Sequence, residues 1–280
     1  MSAPAPATTA TEETDAAGFT ADWRRWHRQR LQGLSAPHGF LAITDLHWLT
    51  SDPTRYDGIP GQWWVTHDWL FVDLGTDESL FLNGMPVSGV QRLGSIAERD
   101  GFNLGHGETI IEVAKRGGKY ILRPRNPQNP LLQEFNGVPA YTPDPRWRIA
   151  GAYRRFDQPR TTLVGAAVEG IERVYESPGE VVFELDGETH TLTAFNGHTE
   201  GTLNILFTDA TSGKTTYAAN RSLVVDVPGE DGIVVLDFNW AVNLPCAFTD
   251  LATCPLPPAE NRLAVAIEAG EKTPFERSVD

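Results

Sequence analysis

Residues 202–240 read TLNILFTDATSGKTTYAANRSLVVDVPGEDGIVVLDFNW. Three runs within this stretch, TLNILFTDAT, TTYAANRSLVVDV and IVVLDFNW, are rich in β-branched and aromatic residues and are separated by glycine and proline. Runs of this kind, spaced too closely for crossover helices, are typical of antiparallel strands in a sandwich or barrel. The stretch therefore predicts β-structure in the second half of the chain.

Similar runs extend upstream. WRIAGAYRRF, TTLVGAAVEGI, EVVFELDG and THTLTAFNG fall between residues 147 and 197, and FLAIT, WLFVDL, SLFLN, TIIEVA and KYILRP precede residue 125. Near the start of the chain, Phe19, Trp23, Trp26 and Arg30 recur at spacings of three and four, which predicts a helix from about 19 to 34. We expect an all-β fold, mainly an antiparallel sandwich or barrel, with an N-terminal helix and a long proline-rich C-terminal loop segment.

Composition shifts divide the chain into four parts. Residues 1–18 are rich in Ala, Pro and Thr, which predicts a disordered tail. Residues 19–123 form the helix and a sandwich-like part. Residues 124–146 hold six prolines, which can donate few backbone hydrogen bonds to a sheet, and are predicted to cross between two parts. Residues 147–280 form a barrel-like part with the C-terminal segment.

Charge and hydropathy exclude several classes of partner. The net charge is −14 and the pI is about 4.9, so the surface would repel phosphate backbones, and we expect no nucleic-acid partner. No apolar run approaches the roughly 18 residues of a membrane span, and the tail lacks the basic and apolar regions of a secretory signal. These features predict a soluble, cytoplasmic, acidic protein without a membrane partner. They leave its oligomeric state open.

A candidate pocket lies in the second half. Residues 237–272 contain both cysteines, four prolines and three asparagines, too irregular a composition for ordinary core. Polar residues also end the strand-like runs. We expect Arg221 to bind an acidic or carbonyl group of a ligand or to pair with Asp237, and Asp237 to act as general base. Hydrogen bonds to the ligand are expected from Asp209, Asn239, Asn243 and Asn261. The alternative is a buried Arg-Asp network that fixes loop geometry, because partly buried charges must be paired in any fold.

The two cysteines allow three interpretations. Cys246 and Cys254 are eight positions apart, unlike the Cys-x-x-Cys of redox and zinc sites. They could be buried thiols, a disulfide, or a ligand or nucleophile, and Cys246 is the predicted catalytic thiol in the last case. No two histidines show metal-site spacing, so no metal site is predicted. No dinucleotide fingerprint, complete phosphate loop or Gly-x-Ser-x-Gly elbow occurs, and the cofactor stays unidentified.

Two resemblances add to these inferences. DATSGKTTYAANRSLVVDV, followed by LDFNWAVNLPCAFTDLATCPLPPAENRLAVAIEAGEK, resembles the bacterial family named domain of unknown function 1684 (DUF1684). This likeness implies a shared architecture and a bacterial source, but no mechanism. In the first half, LFLNGMPVSG followed by LGHGETIIEV is similar to the closing half of a forkhead-associated sandwich. The residues with which such modules grip phosphothreonine are absent in the expected order, so this likeness implies the fold alone.

Two functions are consistent with the sequence. The first is binding, or binding and transformation, of a small polar molecule in a pocket closed by residues 237–272. The second is a non-enzymatic interaction module in which the same segment is structural, with its prolines holding it extended and its asparagines bonded to backbone.

Overall fold

The computed structural model describes residues 9–167 and 172–275, and the side chains of all of these except 9–16 and 172–173. Its first element, α1 (Thr9–Leu34), is the predicted N-terminal helix, but it begins ten residues earlier than expected. Residues 9–18 of the predicted disordered tail are therefore helical, and residues 1–8 lie outside the described part. Within the described residues, no helix is both long enough and apolar enough to cross a membrane.

Although α1 precedes the first half of the chain, its contacts tie it to the second half. Trp23 Nε1 donates a hydrogen bond to the carbonyl of Asn239 at 2.8 Å. The ring of Trp26 meets that of Trp240 edge to face, with centroids 4.4 Å apart. The tryptophan stripe predicted from the spacing is thus the face by which α1 packs on the C-terminal segment.

The first half consists of two antiparallel sheets that share one core. The six-stranded sheet has the order β1-β10-β9-β8-β5-β6, and the four-stranded sheet has the order β2-β3-β4-β7. The core between them includes Trp63, Leu104 and Ile111, all without solvent exposure. The strands are β1 (His47–Trp48), β2 (Thr54–Tyr56), β3 (Ile59–Thr66), β4 (Trp69–Leu74), β5 (Leu80–Leu82), β6 (Met85–Val87), β7 (Gly89–Gly94), β8 (Gly101–His106), β9 (Thr109–Arg116) and β10 (Lys119–Arg125).

Two local predictions in this half can be compared with the structure. Asn83 and Gly84 form the tight turn between β5 and β6, with φ of +50° and +78°, as an Asn-Gly hairpin requires. The run FLAIT is not a strand: Phe40–Ala42 is a turn of 3₁₀-helix, with Leu41 and Ala42 fully buried. The end of the run makes only an isolated β-bridge, between Ile43 and Arg125 of β10. Composition could not distinguish this buried turn from a strand.

The proline-rich crossing holds a short helix, α2 (Pro130–Gln133), and a 3₁₀ turn, Pro145–Trp147. Between these elements it pairs with the end of the chain. The amide of Lys272 donates to the Pro139 carbonyl at 2.8 Å, and the amide of Tyr141 donates to that of Gly270 at 3.0 Å. Gly270 has φ +75°, and a Cβ there would lie 2.5 Å from the Ala241 carbonyl oxygen, so only glycine fits.

The second half is one six-stranded antiparallel sheet with the order β15-β14-β13-β12-β11-β16. Its edge strands β15 and β16 lie beside each other, so the sheet curls into a nearly closed barrel around a core that includes Leu192, Phe207, Leu236 and Phe238. The predicted all-β class is confirmed. The strands are β11 (Arg148–Gly165), β12 (Glu172–Leu185), β13 (Glu188–Asn196), β14 (Thr202–Phe207), β15 (Arg221–Asp226) and β16 (Ile233–Asp237).

Two predicted strand boundaries differ from the structure. WRIAGAYRRF and TTLVGAAVEGI were expected as separate strands, but β11 runs through both, with a register irregularity between Arg155 and Arg160. Residues 168–171 of the second run lie outside the described part. TTYAAN does not join the sheet, because residues 212–220 form a loop and β15 begins only at Arg221.

The carboxylate of Glu78 supplies a pH-dependent element of this fold. Hydrogen bonds from Arg55 and from the amides of Gly75 and Gly61 lower the pKa of Glu78 from 4.5 to about 2. Because the folded state favours the ionised form, Glu78 stabilises the fold above about pH 4.5, and this contribution is lost as the pH falls towards 2.

We expect Glu78→Gln to lower the melting temperature at neutral pH, and the difference from wild type to shrink as the pH falls from about 4.5 to about 2. Melting curves across this range would measure it. Glu108→Gln, at an exposed turn, is the matched control. A difference that stays constant with pH would contradict the assignment.

Candidate functional site

Arg221 and Asp209 form an ion pair in the interior of the second half. Arg221, at the start of β15, is 1% exposed, and its Nη2 lies 2.5 Å from Asp209 Oδ2. The guanidinium also donates to the carbonyls of Ile267, at 3.1 Å, and Ala269. Burial lowers the pKa of Arg221, and the charge of Asp209 opposes this shift. The partner of Arg221 is thus Asp209 and the C-terminal backbone, not Asp237.

The other oxygen of Asp209 shapes the loop that follows β14. Its Oδ1 accepts hydrogen bonds from the amide and hydroxyl of Thr211, at 2.7 and 2.6 Å, and from the amide of Ile267 at 3.3 Å. Both carboxylate oxygens are therefore used within the protein. The geometry is that of the Arg-Asp network considered as an alternative from the sequence.

Asp237 and Asn239 do lie together, as expected, but at the end of β16 rather than in a shared pocket with Arg221. Asp237 Oδ1 caps the 3₁₀ turn Phe238–Trp240 by accepting from the amide of Asn239, and it also accepts from Asn239 Nδ2 at 2.8 Å. The side chain of Asn239 binds both the amide and the carbonyl of Asp144, at 2.9 Å each. These contacts join the C-terminal segment to the crossing.

Asn243 and Asn261 are also bonded to backbone. Asn243 Nδ2 donates to the Lys272 carbonyl at 2.7 Å, while its amide donates to Glu271 Oε2 at 2.6 Å. Asn261 is fully buried and bridges two strands: it accepts from the amide of Thr193 in β13 and donates to the carbonyls of Thr193 and of Leu206 in β14, at 2.7 to 2.8 Å. Each side-chain amide takes the place of backbone groups that a neighbouring strand would otherwise provide.

Cys246 and Cys254 are adjacent, buried and unbonded. The amide of Cys246 donates to Cys254 Sγ at 3.3 Å, and Cys246 Sγ lies 3.8 Å from Asn220 Oδ1. The hydrogen bond with Cys254 lowers the pKa of the Cys246 thiol, burial opposes this shift, and a bond with Tyr217 adds to it. Of the three interpretations, the structure shows the buried thiols, with only 2% of Cys246 exposed.

The predicted site residues therefore occupy several separate places. Asp209 pairs with Arg221, Asp237 with Asn239, and Cys246 with Cys254, while Asn243 and Asn261 lie apart. In the described part of the chain, no group of three or more His, Cys, Asp or Glu side chains could hold a metal ion. The residues hold the C-terminal segment in place, and the catalytic and ligand-binding roles given to them remain predictions.

A cleft that the sequence reasoning missed lies where the loop 213–218 meets the crossing and the chain end. It has a volume of about 650 Å³. Two hydrogen bonds connect its lining to the neighbouring segments: Tyr141 Oη to Thr215 Oγ1 at 2.5 Å, and the Thr273 amide to the Thr215 carbonyl at 3.1 Å. Its lining residues are Pro139, Gly213, Lys214, Thr215, Thr216, Tyr217, Ala218, Lys272, Thr273 and Phe275.

The charge of this cleft is opposite to that of the protein. The chain has only four lysines, and two of them, Lys214 and Lys272, line the cleft. Neither forms an ion pair with another described residue. Lys272 Nζ lies 4.3 Å from the centre of the Tyr141 ring, and Glu271 next to it is turned away, bound to Arg30 at 3.1 Å. No acidic residue appears among the described lining residues.

One sequence signal could have indicated the cleft. In a chain with 37 acidic residues and four lysines, two lysines stand out: one within Ser-Gly-Lys-Thr-Thr and one at the end of the segment 237–272. They lie 58 positions apart, so a tertiary contact, the hydrogen bond from the Thr273 amide to the Thr215 carbonyl, is needed to bring them to one cleft.

We expect Asp209→Asn to lower the free energy of unfolding by about 3 to 5 kcal/mol, because it leaves the buried Arg221 charge without its ionic partner. Denaturant unfolding would measure this loss. Asp226→Asn, at the exposed end of β15, should change stability by less than about 0.5 kcal/mol. Equal stability of the two variants would contradict a structural role for the ion pair.

Thiol titration without reductant should find two free thiols in denaturant and none that reacts fast in the native protein, because both sulfurs are buried. No free thiol in denaturant would instead indicate a disulfide. One fast native thiol, removed in Cys246→Ser, would indicate an accessible nucleophile.

Comparison with known proteins agrees with the resemblance noted in the sequence. The family model "Protein of unknown function (DUF1684)" matches residues 133–272, half of the chain. The solution NMR structure of an uncharacterized protein from Haloarcula marismortui is 31% identical over 52% of this chain and 80% of that one, with a TM-score of 0.44. No curated protein matches. The matched residues include the cleft lysines and every predicted site residue, and the chain belongs to the DUF1684 family.

Proposed function

We propose that this protein binds a small anionic molecule in the cleft lined by Lys214 and Lys272. The observation that supports this is the placement of half of the lysines of a chain with net charge −14 around one cavity whose described lining residues include no acid. Ammonium groups that line a cleft attract carboxylates and phosphates, and the surrounding negative surface focuses that attraction on one place.

The remaining lining residues narrow the ligand class. Thr273 offers a hydroxyl beside the two ammonium groups, whereas the hydroxyls of Thr215 and Thr216 are bonded to Tyr141 and Thr211. Tyr217 and Phe275 provide an aromatic wall, and Phe275 is 59% exposed. This combination suits a molecule with an anionic end and an apolar body. The cleft volume of about 650 Å³ falls within the range of small-molecule sites.

A reaction is not part of this proposal. Tyr217, which lines the cleft, also packs on the cysteine cluster and bonds to Cys246, so the predicted catalytic thiol lies behind the cleft wall. Asp209 borders a second cavity of about 510 Å³ on the other side of the same loop, where Arg262 is the cation. The function proposed is therefore binding alone. A reaction would need a reactive side chain in the cleft, and the predicted candidates Cys246 and Asp209 are bound to other groups of the protein.

Phenyl phosphate and succinate are suitable probes, with the neutral succinamide as the control ligand. We expect saturable binding of at least one anion, and at least a tenfold loss of affinity in Lys214→Gln and in Lys272→Gln, because each removes one ammonium group. Calorimetric titration at constant ionic strength would measure it. Lys119→Gln removes an exposed lysine at the start of β10 in the first half and should leave binding unchanged.

Equal binding of succinamide, or equal losses in Lys119→Gln, would overturn the proposal. Absence of binding to any probe, with native mass spectrometry of the purified protein also showing no bound small molecule, would favour the second function. In that case the protein is an interaction module in which residues 237–272 are structural, as their internal hydrogen bonds already allow.

A further inference from the structure

The two cysteines lie behind one wall of the lysine cleft. Cys246 is part of the 3₁₀ turn Pro245–Ala247, and Cys254 follows eight positions later in the C-terminal segment. Together they belong to a small buried cluster against which Tyr217 packs. Tyr217 also lines the cleft, so one side chain contacts both the cysteine cluster and the space proposed for the ligand.

The two thiols contact each other directly. The amide of Cys246 donates to Cys254 Sγ at 3.3 Å, and the two thiol groups are joined by a hydrogen bond. A disulfide requires two backbones that lie side by side with their side chains directed at one another, and this pair has that arrangement. Conversion of the dithiol to a disulfide therefore requires rotation of the two side chains and no refolding of the segment.

The same contacts favour a thiolate at Cys246, which is the form of cysteine that reacts with oxidants. The hydrogen bond with Cys254 lowers the pKa of the Cys246 thiol, burial opposes this shift, and the bond with Tyr217 adds to it. Cys254 is the more exposed of the two residues, at 7%. Hydrogen peroxide is small and uncharged, so it is suited to such a sheltered pair, whereas a bulky thiol reagent is excluded.

Two residues connect the thiols to the loop that forms the cleft wall. Asn220, which is fully buried, has Oδ1 3.8 Å from Cys246 Sγ, and its Nδ2 donates to the Pro255 carbonyl at 2.7 Å. Tyr217, three residues earlier, bonds to Cys246 from the wall itself. A Cys246 sulfur that binds covalently to Cys254 turns away from both partners. Oxidation of the pair therefore changes the support of the wall.

We propose that Cys246 and Cys254, which are two thiols in this structure, form a redox switch for the lysine cleft and are oxidised to a disulfide by a peroxide. Formation of the disulfide stands on the geometry of the two cysteines alone. The effect of the disulfide on ligand binding rests on the function proposed for the cleft.

The oxidation consists of two displacements. In the first, the Cys246 thiolate attacks one oxygen of hydrogen peroxide, the O–O bond breaks, the hydroxide that leaves takes up a proton, and Cys246 becomes a sulfenic acid. In the second, the Cys254 thiolate attacks the Cys246 sulfur, the S–O bond breaks, and a second water leaves as the S–S bond forms. Two thiols are oxidised by the loss of two hydrogens, and one peroxide is reduced to two waters.

Peroxide treatment of the full chain, followed by denaturation, thiol titration and mass spectrometry, tests this chemistry. We expect wild type to lose two hydrogens and both thiols, and dithiothreitol to restore them. In Cys254→Ser the sulfenic acid has no second thiol to react with, so dimedone should label Cys246. Two thiols that persist after peroxide treatment would overturn the switch. Dimedone labelling of Cys246→Ser in place of Cys254→Ser would contradict the role given to Cys246.

The amide NMR signals of Gly213 and Ala218 report the cleft wall without any ligand. We expect both signals to shift when wild type is oxidised, and to stay in place in a Cys246→Ala, Cys254→Ala double variant treated in the same way. If the double variant does not fold, Cys246→Ser is the control, because it lacks the attacking thiol. With phenyl phosphate as the probe, oxidation should weaken binding by about threefold or more in wild type alone, because Tyr217 loses a hydrogen bond that holds the wall.

The outcomes separate the switch from the binding function. A disulfide that leaves the Gly213 and Ala218 signals unchanged, or equal affinity for phenyl phosphate before and after oxidation, would overturn the regulatory role. Oxidation-dependent shifts at Gly213 and Ala218, without binding of phenyl phosphate in either state, would support the coupling of the thiols to the wall while the function proposed for the cleft fails.

Discussion

The architecture of the second half depends on the buried pair of Arg221 and Asp209. Arg221 begins β15, Asp209 follows β14, and both side chains reach into the segment that ends the chain. Their bonds to the backbone of Ile267 and Ala269 replace ladder hydrogen bonds that an irregular segment cannot make with a strand. Because desolvation makes each charge costly alone, the pair and its carbonyl partners are stable only as a unit.

Around this pair, the three asparagines of the C-terminal segment act in one common way. Asn239 bonds to the crossing, Asn243 to the chain end, and Asn261 to β13 and β14. Each uses a side-chain amide as a substitute peptide group at a point where the backbone is irregular. The helix α1 packs on Asn239 and Trp240. Together, these contacts bring the crossing, the loop 213–218 and the last described residues close to one another. The lysine cleft is the space that this assembly leaves.

The proposed lysine cleft follows from electrostatic reasoning. A chain with 37 acidic and 23 basic residues has enough carboxylates to pair every cation, so a cation group that stays unneutralised requires an explanation. In the second half, Glu271 is turned towards Arg30 and away from its neighbour Lys272.

The sequence by itself determined the all-β class, most strands, the helix face that packs, the DUF1684 membership and the irregular character of residues 237–272, because periodicity, turn residues and long motifs are local properties. It also identified the polar residues of that segment, but it did not determine their partners. Two arrangements depend on tertiary contacts: Arg221 pairs with Asp209 and not with Asp237, and Lys214 and Lys272 line the same cleft. Those contacts are decided by how the barrel closes and how the crossing pairs with the chain end, and no local pattern encodes either.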